Sequence, residues 1–261
     1  MNPSINKNTL FISPPFGNYI SILPNTINIR GSFTYEPRNG LFGQIFKTLR
    51  YNSEYGGWTN QIGLRNKGIH FAIGNYYAAN GYKNRKNEII SLAIRNNKDV
   101  KNMVSVVPKD MNIEINVSCP NVKKSKLHDI HGLGQFLNNE RKWCIMKLPP
   151  TISKTQIDEY YTIGFRQFHC SNTLPNSKKY LGGLSGPVLV PYTLKNTEYI
   201  KSKYKDTIVI CGGGIRTMED IDRYKKAGGD YFSVSTVAFN PYQLLKLYTN
   251  YCIMDYIKNL F

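Results

Sequence analysis

A thiol, an ammonium and a run of glycines are the groups of this chain with the clearest chemical use. The thiol is Cys119, in Asn112-Ile-Glu-Ile-Asn-Val-Ser-Cys-Pro-Asn121. That stretch opens as a β-branched alternating strand and breaks at Ser118, Cys119, Pro120 and Asn121, where proline ends the strand and polar groups take over. Cys119 is thereby presented at a strand's C-terminal edge, among the amides of Asn116 and Asn121 and the hydroxyl of Ser118. A lone cysteine commonly serves as a small buried hydrophobe. Here the neighbours argue for more, because amides and hydroxyls gathered on one turn are costly unless they bind something. The ammonium is Lys147, in Met146-Lys-Leu-Pro-Pro150 at the end of another expected strand. A lysine inside a fold needs a partner, so Lys147 is expected to meet an anion or a cofactor carbonyl rather than snorkel to the surface. The glycines lie in Cys211-Gly-Gly-Gly-Ile-Arg-Thr217, which runs into a helix. Gly213 and Gly214 let backbone N–H groups approach a phosphate, the helix N-terminus adds its dipole, and Ser235 and Thr236 bring hydroxyls from the next strand end. His169-Cys-Ser-Asn-Thr173 offers the polar groups of Asn172 and Thr173, whereas His169 alone reads as a packed or surface imidazole. His128 and His131 sit at i, i+3 in a loop without a carboxylate-rich constellation, so no metal site is read there.

Groups so far apart in sequence need a scaffold that brings them to one rim. The patterning predicts strands over 9–12, 27–33, 88–94, 112–118, 143–148, 165–170, 207–211 and 230–235, with helices near 97–107, 152–163, 191–204, 217–227 and 241–258. Ser153 with Gln156 forms a capping-box start, and Thr217 with Glu219 and Asp220 gives an acidic first turn. Eight strands alternating with helices predict an α/β fold, a (β/α)8 TIM barrel, as one domain over residues 1–261. Active sites of such barrels lie at the C-terminal ends of the strands, where the groups above fall. Tyr19 to Thr26 barely has room for a crossover helix, so the first crossover is expected to be trimmed. Residues 34–68, with turn chemistry at Glu36-Pro-Arg38 and a glycine-rich polar run over 56–66, read as an excursion over the barrel mouth.

With 41% hydrophobic and 13% aromatic residues the chain can fill a core. Five widely spaced cysteines without a CxxC pair argue against a disulfide framework and against zinc or iron-sulfur ligation. No basic leader followed by a long apolar run opens the chain, and no window reaches the ~18 apolar residues of a membrane span. A soluble, cytoplasmic protein is expected. The net charge of +17 raises the question of a polyanion partner. Its lysines and arginines are scattered among asparagines, as in Lys83-Asn-Arg-Lys-Asn87, which fits a compositional bias better than a nucleic-acid surface.

Taken together, these motifs resemble the dihydroorotate dehydrogenase family over nearly the whole length. The soluble class shares an Asn-x-Ser-Cys-Pro-Asn turn, here Asn116 to Asn121; a Lys-Leu-Pro-Pro strand end, here Lys147 to Pro150; and a Gly-Gly-Leu-Ser-Gly-Pro loop, here Gly182 to Pro187. Glu36-Pro-Arg38, Asn60-Gln-Ile-Gly-Leu64 and Asn172-Thr-Leu174 match most closely the subclass that pairs with a second, iron-sulfur and FAD subunit. The resemblance implies FMN-dependent oxidation of dihydroorotate in pyrimidine biosynthesis. It implies Cys119 as the base that removes the C5 proton while C6 gives hydride to flavin N5, and Lys147 as the flavin-contacting lysine. Asn60, Gly63, Leu64, Asn116, Asn121, Asn172 and Thr173 would surround the pyrimidine. Ser32, Asn116, Lys147, Gly186, Gly213, Gly214, Ser235 and Thr236 would hold FMN, the last four at its phosphate. A homodimer and an electron-transfer partner subunit are further implied.

Two departures accompany the resemblance. Where the soluble class carries a lysine at the end of strand two, this chain has Gly31, preceded by an Arg30 that a one-residue shift turns to the other face. The chain is also shorter than usual for the family, and it carries neither the N-terminal helical extension nor the serine base of the membrane class, which argues against direct quinone use. These departures keep open a catalytically degenerate barrel that holds FMN or phosphate. A dihydrouridine synthase-like enzyme is the other alternative, one that would give the positive charge a purpose on tRNA.

Overall fold

Parallel strands covered on both faces read as near-continuous apolar runs, and Glu88–Ala93, Cys144–Leu148 and Ile208–Gly212 are buried almost throughout. A computed structural model of the chain describes residues 5–78, 88–117, 130–175 and 177–253. In it the strands β1 (Leu10–Ile12), β2 (Thr26–Phe33), β5 (Glu88–Ala93), β6 (Ile113–Asn116), β7 (Cys144–Leu148), β8 (Gln167–Cys170), β10 (Ile208–Gly212) and β11 (Tyr231–Val234) close into a parallel barrel in the order β1-β11-β10-β8-β7-β6-β5-β2. The expected (β/α)8 architecture is the observed one. Every barrel strand lies within two residues of its expected span.

Between β1 and β2 only a single 3-10 turn, Phe16–Asn18, replaces the crossover helix. The helices α3 (Asn97–Val106), α4 (Lys154–Ile163), α5 (Val190–Lys203) and α6 (Met218–Lys226) pack outside, each matching an expected helix. Their starts follow local chemistry. Ser153 and Gln156 cap each other, Thr217 pairs likewise with Asp220, and the Asn96 side chain accepts from the Asp99 N–H. Of the helix expected over 241–258, α7 covers Pro241–Tyr248 and passes into a π-helical turn, Thr249–Ile253, while residues 254–258 lie outside those described.

Side chains alternate across each strand. The inward set at the barrel's base is apolar: Phe11, Ile27, Ile29, Ile89, Trp143, Ile145, Ile210 and Tyr231 form one cluster, with Phe11 and Trp143 edge to face at 5.4 Å. One layer higher the inward positions turn polar, and this change of chemistry defines the site.

The excursion carries α1 (Leu41–Thr48) and two short strands, β3 (Arg50–Asn52) and β4 (Gly57–Asn60), and the one-turn helix α2 (Ile69–Ala72) follows it. The glycine-rich run 56–66 is therefore partly a strand, which its polarity concealed. It is one because β9 (Gly183–Ser185), from the segment after β8, pairs with β4 and completes a three-stranded antiparallel sheet. Trp58 of β4 stacks on Phe239 at 4.2 Å, and Phe239 meets Phe16 at 4.9 Å, so the excursion is fastened to the segments that follow β11 and β1. Among the described residues no helix is long and apolar enough to cross a membrane.

Candidate active site

Glu114, Lys147 and His169 project inward from the adjacent strands β6, β7 and β8. Lys147 pairs in register with Asn116 on one side and His169 on the other, whereas Glu114 sits opposite Ile145, one inward layer deeper. Lys147 and His169 thus stand abreast above a shared carboxylate. Lys147 Nζ lies 3.3 Å from Glu114 Oε1, and His169 Nδ1 lies 2.6 Å from Glu114 Oε2. Relative exposures of 0% for Glu114, 2% for His169 and 8% for Lys147 place the cluster out of water.

Burial alone would raise the Glu114 pKa. The Lys147 and His169 partners and a hydrogen bond from Ser91 outweigh burial and hold the carboxyl down at about 2, so it is ionised. Burial lowers the His169 pKa, helped by the neighbouring Lys147 charge and opposed by Glu114, so the imidazole is neutral near pH 7. Since a carboxylate only accepts, neutral His169 carries its proton on Nδ1.

Glu114 was not foreseen as the partner of Lys147. The reason is periodicity: Glu114 and Asn116 are two residues apart in one strand and share its inward face, so the strand that presents the amide also delivers the carboxylate. A chain of hydrogen bonds extends from it. Ser91 Oγ donates to Glu114 Oε1 at 2.8 Å and lies 2.8 Å from Ser32 Oγ; Asn116 Nδ2 donates to Ser32 Oγ at 2.9 Å, and Asn172 Nδ2 to Asn116 Oδ1 at 3.1 Å. The expected residues Ser32, Asn116, Lys147 and Asn172 are thereby linked through two groups that the sequence did not single out, Ser91 and Glu114.

Above the cluster a cleft of about 560 Å³, part of it open to solvent, is lined by Lys147, His169, Asn172 and Thr173 and, at the ends of β10 and β11, by Gly213, Gly214, Ser235 and Thr236, with Gly186 beside them. Ser13, Ser171, Ser185 and Ser233 also line it and were not singled out in the sequence. Ser13 and Ser233 bond each other at 2.6 Å, and Ser235 Oγ donates to the Pro14 carbonyl at 2.9 Å, so β1 and β11 close that end together. The helix N-terminus expected to help there is taken: Asp220 accepts from the Arg216 and Thr217 N–H groups at 2.9 and 3.2 Å. That leaves the glycine and hydroxyl segments as the polar groups facing the cleft at this end.

Asn60, Gly63 and Leu64 belong to the excursion and do not line the cleft. Asn60 pairs with Gly183 across β4 and β9, and the Gly63 carbonyl accepts from Arg38 Nε at 3.2 Å. Arg30 is turned to the outer face of β2, where it meets Glu88 at 2.6 Å under the Tyr76 ring at 5.0 Å. Gly31 has φ +107°, and a Cβ there would lie 2.6 Å from the Phe33 ring, so its backbone excludes a side chain. Ser118, Cys119, Asn121 and His128 lie outside the described residues. Burial pushes the Cys144, Cys211 and Cys252 thiols up to about 12 and the Cys170 thiol well above its usual range, so none of these four is a base near neutral pH.

Comparison with known proteins agrees with this geometry. A catalytic subunit named dihydroorotate dehydrogenase B (NAD(+)) from Thermotoga petrophila is 28% identical over 203 residues, covering 69% of this chain and 72% of that protein. A protein of the same name from Petrotoga mobilis is 29% identical over 220 residues, covering 75% and 72%. Both names match the subclass that the motifs resemble. Among solved structures, ligand-free dihydroorotate dehydrogenase from Eimeria tenella superposes with a TM-score of 0.68 at 15% identity, covering 93% of this chain and 82% of that one, a likeness of fold. The dihydroorotate dehydrogenase family model matches residues 26–247. With that match over most of its length, the chain belongs to the dihydroorotate dehydrogenase family, flavin-dependent oxidoreductases of CH–CH donors.

Proposed function

We propose that this protein oxidises dihydroorotate to orotate with FMN as its cofactor. The observation that carries the reading is that Lys147, Asn172 and Thr173 line the same cleft as Gly213, Gly214, Ser235 and Thr236. This donor set fits FMN. Glycine backbone and hydroxyls suit its phosphate, and a single ammonium held on a buried carboxylate suits the polar edge of its ring system. FMN, when bound, supplies the hydride acceptor for the substrate's C6.

The chain's own residues do the rest. Lys147 stabilises negative charge that develops at the cleft floor. Its pairing with Glu114 keeps the ammonium in place without leaving the cleft strongly positive. Asn172, oriented by Asn116, offers an amide to a planar, amide-bearing ring. Cys119 is assigned as the base for the C5 proton on the strength of the Asn-x-Ser-Cys-Pro-Asn turn, and Asn121 of the same turn as a substrate contact. Asn60, Gly63 and Leu64 are assigned to the substrate side on the same motif grounds. Electrons leave through a partner subunit, a reading supported by the "catalytic subunit" in the relatives' names.

The test is purification with FMN, followed by anaerobic addition of dihydroorotate. Bleaching of the flavin absorbance is expected; bound flavin that dihydroorotate never bleaches would reject the reaction. A second reading, a barrel that binds FMN without turnover, is favoured by one observation, the backbone at Gly31 that excludes a side chain. It would be supported by the same unbleached result together with tight FMN binding.

A further inference from the structure

His169 has no role in the reaction just proposed, yet it makes the shortest contact to the carboxylate that holds Lys147. We propose that His169 is a positioning residue, which keeps the Lys147 ammonium at the cleft by fixing the orientation of Glu114. The inference rests on the reading of Lys147 given above.

Three observations support it. The two carboxylate oxygens of Glu114 have separate duties: Oε2 takes His169 Nδ1 at 2.6 Å, while Oε1 takes Lys147 at 3.3 Å and Ser91 at 2.8 Å. A carboxylate anchored at one oxygen cannot turn both towards the ammonium. Freed of His169, Glu114 would rotate, chelate Lys147 more closely and draw it down from the cleft, since Glu114 lies a layer deeper.

The barrel also makes room for this ring. A Cβ at Gly212 would lie 2.9 Å from His169 Nε2, so the first glycine of the triplet admits the imidazole. Gly213 and Gly214 are then left for the anion end of the cleft.

The third observation is charge. Among the described residues the charged groups facing His169 are Glu114 from β6 and Lys147 from β7; β10 and β11 bring Gly212 and Ser233, which carry none. A neutral imidazole supplies a fixed N–H without adding a second cation beside Lys147. Arginine or lysine at 169 would compete with Lys147 for Glu114, whereas neutral histidine shares it.

The test compares His169→Leu, which removes the donor, with His169→Asn, whose amide nitrogen can reach the place of Nδ1 without titrating. The readouts are the affinity of the protein for oxidised and for reduced FMN and the two-electron potential of the bound flavin. Loss of a hydrogen bond to a charged group corresponds to about ten- to a hundredfold. His169→Leu is therefore expected to weaken the preference for reduced FMN by about that factor, lowering the potential by about 30–60 mV at ~30 mV per tenfold. His169→Asn should recover most of the shift. In a Lys147→Ala background His169→Leu should add no further shift, a dependence that a merely structural role would not produce. Should His169→Leu fail to fold, His169→Gln, whose amide lies one bond farther out, serves as the disrupting change. An unchanged potential in His169→Leu, or an equal shift with and without Lys147, overturns the proposal. If Lys147→Ala itself leaves the potential unchanged, the assignment of Lys147 fails instead, so the two failures are distinguishable.

Discussion

Glu114→Gln isolates the charge at the centre of the barrel, because the amide has the shape of the carboxylate and leaves no cavity. In the native protein Glu114 is wholly buried and serves Lys147 at 3.3 Å, His169 at 2.6 Å and Ser91 at 2.8 Å. The substitution strips the counter-charge from an ammonium that is only 8% exposed. Its new amide NH₂ also faces at least one existing donor. Removing one partner of a buried pair costs about 3–5 kcal/mol, most of it the penalty of the charge left behind. For a chain of this size each kcal/mol lowers Tm by roughly 2–4 °C, so a fall of about 6–20 °C is expected. Urea unfolding followed by far-UV circular dichroism measures the free energy directly. Combining Glu114→Gln with Lys147→Met removes both charges, and the double variant should lie at least ~2 kcal/mol closer to native than the sum of the singles. A single-variant cost below ~1 kcal/mol, or additive losses, would refute the claim that Glu114 is ionised and coupled to Lys147.

Three further outcomes are expected. Gly31→Lys will not supply a working strand-two lysine: at φ +107° with a Cβ 2.6 Å from the Phe33 ring, it should destabilise the fold by roughly 2–4 kcal/mol, measured by the same urea titration. Cys119→Ser should retain FMN, seen in the absorbance spectrum, while dihydroorotate-driven bleaching slows about 10²- to 10⁴-fold as the base is lost; unchanged bleaching would remove Cys119 from the mechanism. On acidification two losses of stability are expected, in different windows. The His169 pKa is lowered by folding, so below about 6.5 the unfolded chain gains a proton that the native state resists, and stability falls with pH there. The Glu114 pKa is held at about 2 against 4.5 unfolded, so its contribution is complete above 4.5 and is lost as pH falls towards 2. Unfolding midpoints measured from pH 8 to 3 should show the upper loss vanish in His169→Asn.

The amino-acid sequence by itself determined the barrel. Strand periods, the capping box at Ser153, the acidic first turn at Thr217 and the short link between Tyr19 and Thr26 are local signals, and local signals survive without coordinates. It also located Lys147, Asn172, Thr173, Gly213, Gly214, Ser235 and Thr236, because barrel chemistry collects at strand ends and those ends carry turn residues that can be read directly. The turn of Arg30 away from the interior followed from the period of two alone. What only the tertiary structure decided was which groups meet across strands. Glu114 reads as one more residue of an alternating strand and His169 as a packed imidazole. Their partnership with Lys147 depends on the register of three neighbouring strands, a relation between residues 33 and 55 positions apart. The sheet of β3, β4 and β9 escaped for the same reason: Gly57–Asn60 has no strong strand propensity and becomes a strand only because Gly183–Ser185 arrives beside it. Propensity and period act along the chain, whereas ion pairing and sheet completion act through space, so the second kind of fact emerges only once the barrel has closed.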